Sequence, residues 1–303
     1  MKTILILAAG GMAGHVIAKR LEDSQKYNVI KTFRNVSLAS TTEKSFTHIL
    51  DLYDSSKIIA TIDKFQPDIV INCAGILIQD SINHPADAIY INSYLPNFLN
   101  YLSNIYSFKL IQISTDCVFS GKKGNYTEND KPDADNIYGK TKALGEIIDN
   151  NKHLTIRTSI IGPELKHNGT GLLHWLFNQS GTLSGYTQAI WSGVTTLELA
   201  KYIEFLIHPS NDSFSQNGLI HLTNNIAISK FDLLLLIREI FALQSLNIIP
   251  ESQYVSDKSL INSNNTSEIF YTVPSYRKMI AELKNYIFEN KILYNHYKIF
   301  MNH

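Results

Sequence analysis

The sequence predicts an α/β fold, a doubly wound parallel sheet, and three observations predict it. Short continuous apolar runs recur from the N-terminus onward, as expected of strands buried on both faces. Stretches with helical spacing separate them, so strand and helix alternate. The first run, Thr3 to Ala9, leads into Gly10-Gly11-Met12-Ala13-Gly14, a glycine turn between a strand and a helix.

That turn lets backbone N–H groups approach a pyrophosphate at the positive end of the helix, which runs through Arg20 and Leu21. Ala8 stands where the first glycine of such turns is usual. Alanine fits there if the backbone needs no positive φ. A second strand, Tyr27 to Phe33, ends at Arg34, and no Asp or Glu lies between Tyr27 and Asn35. An acidic residue there would hold a ribose 2′-OH, whereas arginine suits a 2′-phosphate, so NADPH is expected over NADH. A polar connection, Asn35 to Ser45, leads to a strand from Phe46 to Leu52, with Asp51 at its end to accept from an adenine amino group.

Helix Ser55 to Phe65 leads through Pro67 into strand Ile69 to Asn72, then Cys73-Ala74-Gly75, small residues at a carboxyl end where a flat cofactor can approach. The helical stretch Ala86 to Tyr106 contains Pro96, which should kink or split it, and Asn92, placed to support the strand ends. Lys109 to Thr115 is the fifth strand and Leu154 to Ser159 the sixth, with a helix from Tyr138 to Asn150 between them. Beyond Ile161 the chain turns rich in Gly, Ser, aromatic and amide residues and reads as pocket lining. Helix Thr196 to His208 and strand Leu219 to Thr223 return to the main sheet, Ser229 caps a helix from Lys230 to Leu243, and an amphipathic cover runs from Tyr276 to Tyr297.

The chain has 303 residues, enough for one large α/β domain or two modest ones. Lys+Arg and Asp+Glu balance at 27 each, which removes any electrostatic argument for nucleic acid or an anionic membrane. The apolar run Ile4 to Ala9 is too short to span a bilayer and lacks a signal-peptide layout. Cys73 and Cys117 are too few for a disulfide framework and point to a reducing cytoplasm. The histidines are scattered without ligand spacing, so no required metal is expected.

The chemistry concentrates in Ile113 to Glu146. Tyr138 and Lys142 stand at i and i+4 and share one helix face. A lysine beside a tyrosine lowers the phenol pKa from about 10, and Thr115 at the strand end brings a hydroxyl to the same point. Bringing the phenol toward neutral pH asks about 3–4 kcal/mol of its surroundings, which one ammonium at about 5–6 Å supplies at an effective dielectric near 20. The loop Asp116 to Asn136 is polar and reads as an exposed connection able to close over a substrate.

The glycine turn, Asn72-Cys73-Ala74-Gly75, Ser114-Thr115-Asp116 and Tyr138-Gly-Lys-Thr-Lys142 together resemble the extended short-chain dehydrogenase/reductase family, and within it the dTDP-4-dehydrorhamnose reductase group. The match extends from Met1 to Gly162 and is looser beyond. The resemblance implies a Rossmann-type sheet with a smaller C-terminal substrate-binding domain. The dinucleotide-binding part would be residues 1–160, with 194–224 returning to it, and the substrate part 161–193 and 225–303. It implies Thr115, Tyr138 and Lys142 as the catalytic triad. Gly10, Gly11, Met12, Ala13, Arg34, Asp51, Leu52, Cys73, Ala74 and Gly75 would hold the cofactor with Tyr138 and Lys142. Thr115, Asp116 and Val118 would meet the substrate. Ile160 replaces a tryptophan of the relatives, with Trp191 as the substitute contact, and Val16 stands where some relatives carry a magnesium-binding glutamate.

The implied activity is NADPH-dependent reduction of a nucleotide-linked 4-keto-6-deoxy sugar in the cytoplasm, as in deoxysugar and polysaccharide precursor biosynthesis, by a protein able to form a homodimer. An epimerase with tightly held NAD and a non-catalytic binding subunit are the alternatives. Dehydration is disfavoured, because Cys117 and Val118 follow Asp116 where a dehydratase needs a glutamate.

Overall fold

The computed structural model describes residues 1–35, 46–148, 151–208, 217–263 and 271–300. Six strands come first: β1 (Lys2–Leu7), β2 (Tyr27–Phe33), β3 (Phe46–Ile49), β4 (Ile69–Asn72), β5 (Lys109–Thr115) and β6 (Leu154–Thr158). Shorter ones follow: β7 (Ile160–Ile161), β8 (Gly181–Tyr186), β9 (Ala189–Trp191), β10 (Val194–Thr195), β11 (Gly218–His221), β12 (Ile228–Ser229), β13 (Leu246–Glu251) and β14 (Ser256–Asp257). The helices are α1 (Met12–Asp23), α2 (Ser55–Phe65), α3 (Ile78–Asn83), α4 (Pro85–Ala88), α5 (Leu95–Tyr106), α6 (Ile137–Leu144), α7 (Leu172–Phe177), α8 (Thr196–Ile207), α9 (Lys230–Ile240) and α10 (Tyr276–Glu289).

Seven strands form one sheet in the order β11-β6-β5-β4-β1-β2-β3, and every pairing in it is parallel. The order reverses between β1 and β4, which opens a crevice at their carboxyl ends. Successive side chains of β1 enter opposite cores. Ile4 and Ile6 join the layer of α1 and α8, while Leu5 and Leu7 join that of α2 and α5. Each such buried aliphatic side chain contributes roughly 1.5–3 kcal/mol. A strand wetted on one face would alternate; β1 is apolar from Ile4 to Leu7 because both faces are covered there.

The stretch after Ile161 departs from the expectation of pocket lining. Leu173, Leu176, Phe177 and Trp191 are buried in the same core as β1 and α1, together with Leu233, Tyr294 and Tyr297. Apolar side chains spaced along α7 reach that core, and the glycines and serines between them make turns.

Pro96 splits the long helical stretch as its missing N–H requires, but through an intermediate. A π-helical segment, Ile89–Tyr94, joins α4 to α5, and Pro96 sits in the first turn of α5. The wider turn aims Asn92 inward, where its side chain accepts from Ile76 N at 2.9 Å and donates to Ile76 O at 3.0 Å and Thr141 Oγ1 at 3.2 Å. It thereby ties the Gly75 loop to α6. That helix ends at Leu144 rather than Asn150, since Gly145 packs against the Asn92 carbonyl and Glu146 turns inward. The last two residues of the expected helix, and the connection after Asn35, lie outside the described residues.

Candidate active site

The glycine turn is built around Ala8, whose φ is +57°. The condition under which alanine would fit without cost is therefore not met, because left-handed backbone disfavours a Cβ by about 1–2 kcal/mol. The turn needs that conformation: the Ala8 amide bonds Thr32 Oγ1, Gly11 N donates to Ala8 O at 3.0 Å, and a Cβ on Gly14 would stand 2.5 Å from that same oxygen. Ala8→Gly is accordingly expected to raise unfolding stability by about 1 kcal/mol, read from the denaturant midpoint; an unchanged or lower midpoint would contradict strain at Ala8. Gly11 caps α1 with no side-chain hydrogen bond and no acidic residue in the first turn. The first-turn N–H groups at Met12 and Ala13 thus have no side-chain cap at the positive end of the helix, a fit for a phosphate.

Ala74, next to Cys73, lies across the crevice, with its N–H held by Asn72 Oδ1 at 3.1 Å. Arg34 and Asp51 are exposed at the carboxyl ends of β2 and β3, and both act electrostatically on Tyr53 between them. Asp51 Oδ1 accepts from Tyr53 N at 3.1 Å, and Leu52 packs on the α2–α5 core. These residues, with Gly10, Gly75 and the turn, follow the carboxyl ends of β1, β2, β3 and β4.

Thr115 ends β5, with its hydroxyl donating to Asp116 Oδ1 at 3.1 Å and accepting from Cys117 N at 3.1 Å. The Tyr138 phenol is near enough to the same Thr115 hydroxyl to be influenced by it, in the direction that favours the ionised phenol. Gly139 makes this possible, because a Cβ there would collide with the Cys117 carbonyl and hold α6 away from the turn after β5. Asn136 caps α6 through Gly139 N at 2.8 Å. A strand end and a helix start therefore bring two hydroxyls into the same neighbourhood, although 22 intervening residues separate them in the chain.

The electrostatics differ from the expectation for a Tyr–Lys pair. Burial pushes the Tyr138 phenol well above its ordinary value, with Cys117 and Asp116 adding to the shift and Thr115 opposing it. Lys142 is buried and donates to Ile113 O at 2.8 Å. Burial lowers its pKa to about 8 against the attraction of Glu146 and Cys73. The ammonium is drawn toward β5 and Glu146, so the phenol keeps its proton at neutral pH. The lysine's own pKa carries a prediction. Its desolvation cost is fully present below pH about 8 and is relieved as pH rises toward 10.5, where the unfolded chain still holds the proton. Relative to Lys142→Met, the unmutated chain should gain about 3 kcal/mol between those limits, read from urea midpoints; equal pH slopes would contradict it.

Glu146 lies two residues beyond the end of α6, and three groups converge on it. Ser114 Oγ donates at 2.6 Å, Arg157 Nε at 2.7 Å and Arg157 Nη2 at 2.6 Å. Arg157 also lies 5.0 Å from the Phe119 ring centroid and 3.3 Å from His221 Nε2. His221 Nδ1 faces the carbonyls of Tyr126 and Ile261 at 3.1 and 3.0 Å, so it carries the proton and Nε2 accepts from Arg157. Motif reading missed Glu146, whose signal was available in its spacing from Tyr138 and Lys142. Arg157 and His221, on β6 and β11, had none.

Two substrate contacts need correction. Val118 is fully buried with Phe119, Tyr126 and Leu260, while its carbonyl accepts from Asp133 N and Ala134 N; it anchors the loop. Trp191 is 2 % exposed, tilted against Tyr276 at 5.5 Å, with Lys230 Nζ 5.0 Å from its ring centroid. Its indole is core, so no face remains for a sugar. The loop Gly121 to Asn136 is pinned rather than poised to close: Gly121 O accepts from Asp257 N, Tyr126 exchanges backbone bonds with Ser259 and Ile261, and Phe119 stacks on Tyr126 at 4.0 Å. Asp116 stays at the site, buried, its carboxyl raised by burial against the pull of Lys230 and Lys258.

Residues 1–286 match the family described as "RmlD substrate binding domain". The chain belongs to that family. Among curated family relatives it is 27 % identical over 241 residues to dTDP-4-dehydrorhamnose reductase of Aggregatibacter actinomycetemcomitans, covering 77 % of this chain and 76 % of that one. It is 26 % identical over 260 residues to methionine adenosyltransferase 2 subunit beta of Bos taurus, covering 82 % and 75 %. The crystal structure of dTDP-4-dehydrorhamnose reductase from Bacillus anthracis str. Ames in complex with NADP superposes with a TM-score of 0.77 at 22 % identity. That match covers 94 % of this chain and 99 % of the other, a likeness of fold.

Proposed function

We propose that this RmlD-family protein is an NADPH-dependent reductase of the 4-keto group of a nucleotide-linked 4-keto-6-deoxy sugar. The observation that carries the reading is the packing of α6 through Gly139 on the turn after β5, which brings Tyr138 to the Thr115 strand end with Lys142 on the same face of α6. The residues suit the cofactor: Gly11 and Gly14 leave room for backbone approach, the helix end is uncapped, and Arg34, just after β2, would take a 2′-phosphate. Bound there, the nicotinamide would supply the hydride. Tyr138 donates the proton to the developing alkoxide, and the raised phenol pKa keeps that proton in place until it is needed. Thr115 orients the carbonyl oxygen, Lys142 holds ribose hydroxyls, and Asp116 meets the sugar.

Loss of NADPH absorbance on adding one of a panel of dTDP-, UDP- and GDP-linked 4-keto-6-deoxy sugars tests the reading. No turnover across the panel would overturn it. A binding subunit is the second reading, favoured by the left-handed Ala8 and by the methionine adenosyltransferase subunit among the relatives; it requires cofactor retention without turnover. We place the protein in the cytoplasm, which suits its free thiols, as a homodimer, for which the exposed Tyr101 and Ile105 of α5 offer an apolar face. Light scattering measures that assembly.

A further inference from the structure

Two lysines outside every motif flank β9, a distant part of the chain, and both act electrostatically on Asp116. Strand β9 is flanked by β12 and β14, and Ser229 on one side and Asp257 on the other both pair with Ile190. The next residue on each flank is a lysine, Lys230 and Lys258. Lys230 is half-buried with its ammonium over the Trp191 ring. The Lys258 stem lies against Gly121, in the segment that follows Asp116–Val118, and the Asp257 amide fastens that contact through Gly121 O at 2.8 Å. Both ammoniums act on Asp116 and on Cys117.

The acidic residues next to these lysines are engaged elsewhere. Asp232 accepts from Ser229 Oγ at 2.6 Å, and Asp257 from Ser259 Oγ at 2.6 Å and Ser259 N at 3.0 Å. Among the described residues neither Lys230 nor Lys258 takes part in an ion pair. Neither ammonium is therefore matched by a close carboxylate, and Asp232 in the first turn of α9 and Asp257 keep their charges on serine partners. Beside Lys230, the buried Trp191 Nε1 has no partner in the protein.

We propose that Lys230 and Lys258, held around Trp191 and Gly121, form an anion subsite that seats the substrate's diphosphate next to the Thr115–Tyr138 hydroxyls. The inference rests on the nucleotide-linked substrate named above and assigns the residues that select for it. Lysines suit the task as flexible point charges that follow a diphosphate, and the half-buried site weakens screening by salt.

Calorimetric binding of UDP, dTDP, GDP and inorganic pyrophosphate to the full chain tests the subsite, with NADPH binding as the control. Lys230→Met and Lys258→Met should each weaken the tightest of these diphosphates by roughly 10- to 100-fold, since each removes a charged hydrogen-bond donor. NADPH affinity should not change, and Lys230→Arg should restore most of the loss. Tight binding of inorganic pyrophosphate alone would place the recognition in the phosphates, and binding only of a nucleoside diphosphate would add the base. Undiminished diphosphate binding in both methionine variants, or none in the unmutated chain, would overturn the subsite. Absence of NADPH binding would instead overturn the reductase reading, so the two failures separate. If Lys230→Met does not fold by circular dichroism, Lys258→Met decides.

Discussion

Tyr138→Phe is expected to lower kcat for ketone reduction by roughly 100- to 10,000-fold, the range for loss of a positioned general acid. The substitution removes one oxygen and keeps the ring, so the packing of α6 against the Cys117 turn through Gly139 is preserved. Thr115 keeps its bonds to Asp116 and Cys117 N, and the strand end keeps its shape. The loss should therefore fall on kcat, with KM and NADPH affinity little changed. The direction of the phenol's shift sharpens the expectation. With Cys117 and Asp116 around it, the phenol is a reservoir of a proton rather than a tyrosinate, which suits the reductive direction. Steady-state NADPH oxidation with the active sugar of the panel gives the number. Full turnover in the phenylalanine variant would end the proposed mechanism.

Glu146→Gln should cost about 3–5 kcal/mol of folding stability, the usual result of leaving a buried ionic partner unpaired. Glu146 and Arg157 side chains are 2 % and 1 % exposed and are joined in a two-point contact, and Ser114 completes the carboxylate's bonding. Removing the carboxylate charge strands the guanidinium between the Phe119 ring and His221, whose tautomer offers a lone pair but no charge. It also removes the attraction that holds Lys142 charged, so activity should begin to fall at lower pH than in the unmutated chain. The double variant Glu146→Gln with Arg157→Met should recover much of the stability, because the pair's desolvation disappears with its charges. Chemical denaturation of both singles and the double closes the cycle. A loss below about 1 kcal/mol in the single would show that the pair is not the support described.

The parallel sheet was legible because burial on both faces leaves continuous apolar runs, as in Ile4–Ala9 and Ile69–Ile71. The i, i+4 spacing of Tyr138 and Lys142 was legible because helix geometry alone puts them on one face. Element ends were less so. α6 stops at Leu144 because Gly145 meets the Asn92 backbone, a contact between residues far apart in sequence. The same reason hid the pinned loop, where Gly121 and Tyr126 bond a segment more than a hundred residues away.

By itself the sequence determined the sheet, the glycine turn, the strand end at Thr115 and the helix face that carries Tyr138 and Lys142, because each depends on local periodicity and backbone chemistry. The tertiary structure decided the rest. It set the left-handed conformation of Ala8, turned Lys142 toward Ile113 and Glu146, buried Val118 and Trp191, and brought Lys230 and Lys258 to Asp116. Burial and electrostatic environment arise from residues distant in the chain, and a side chain's charge and reach follow from them only once the chain has folded.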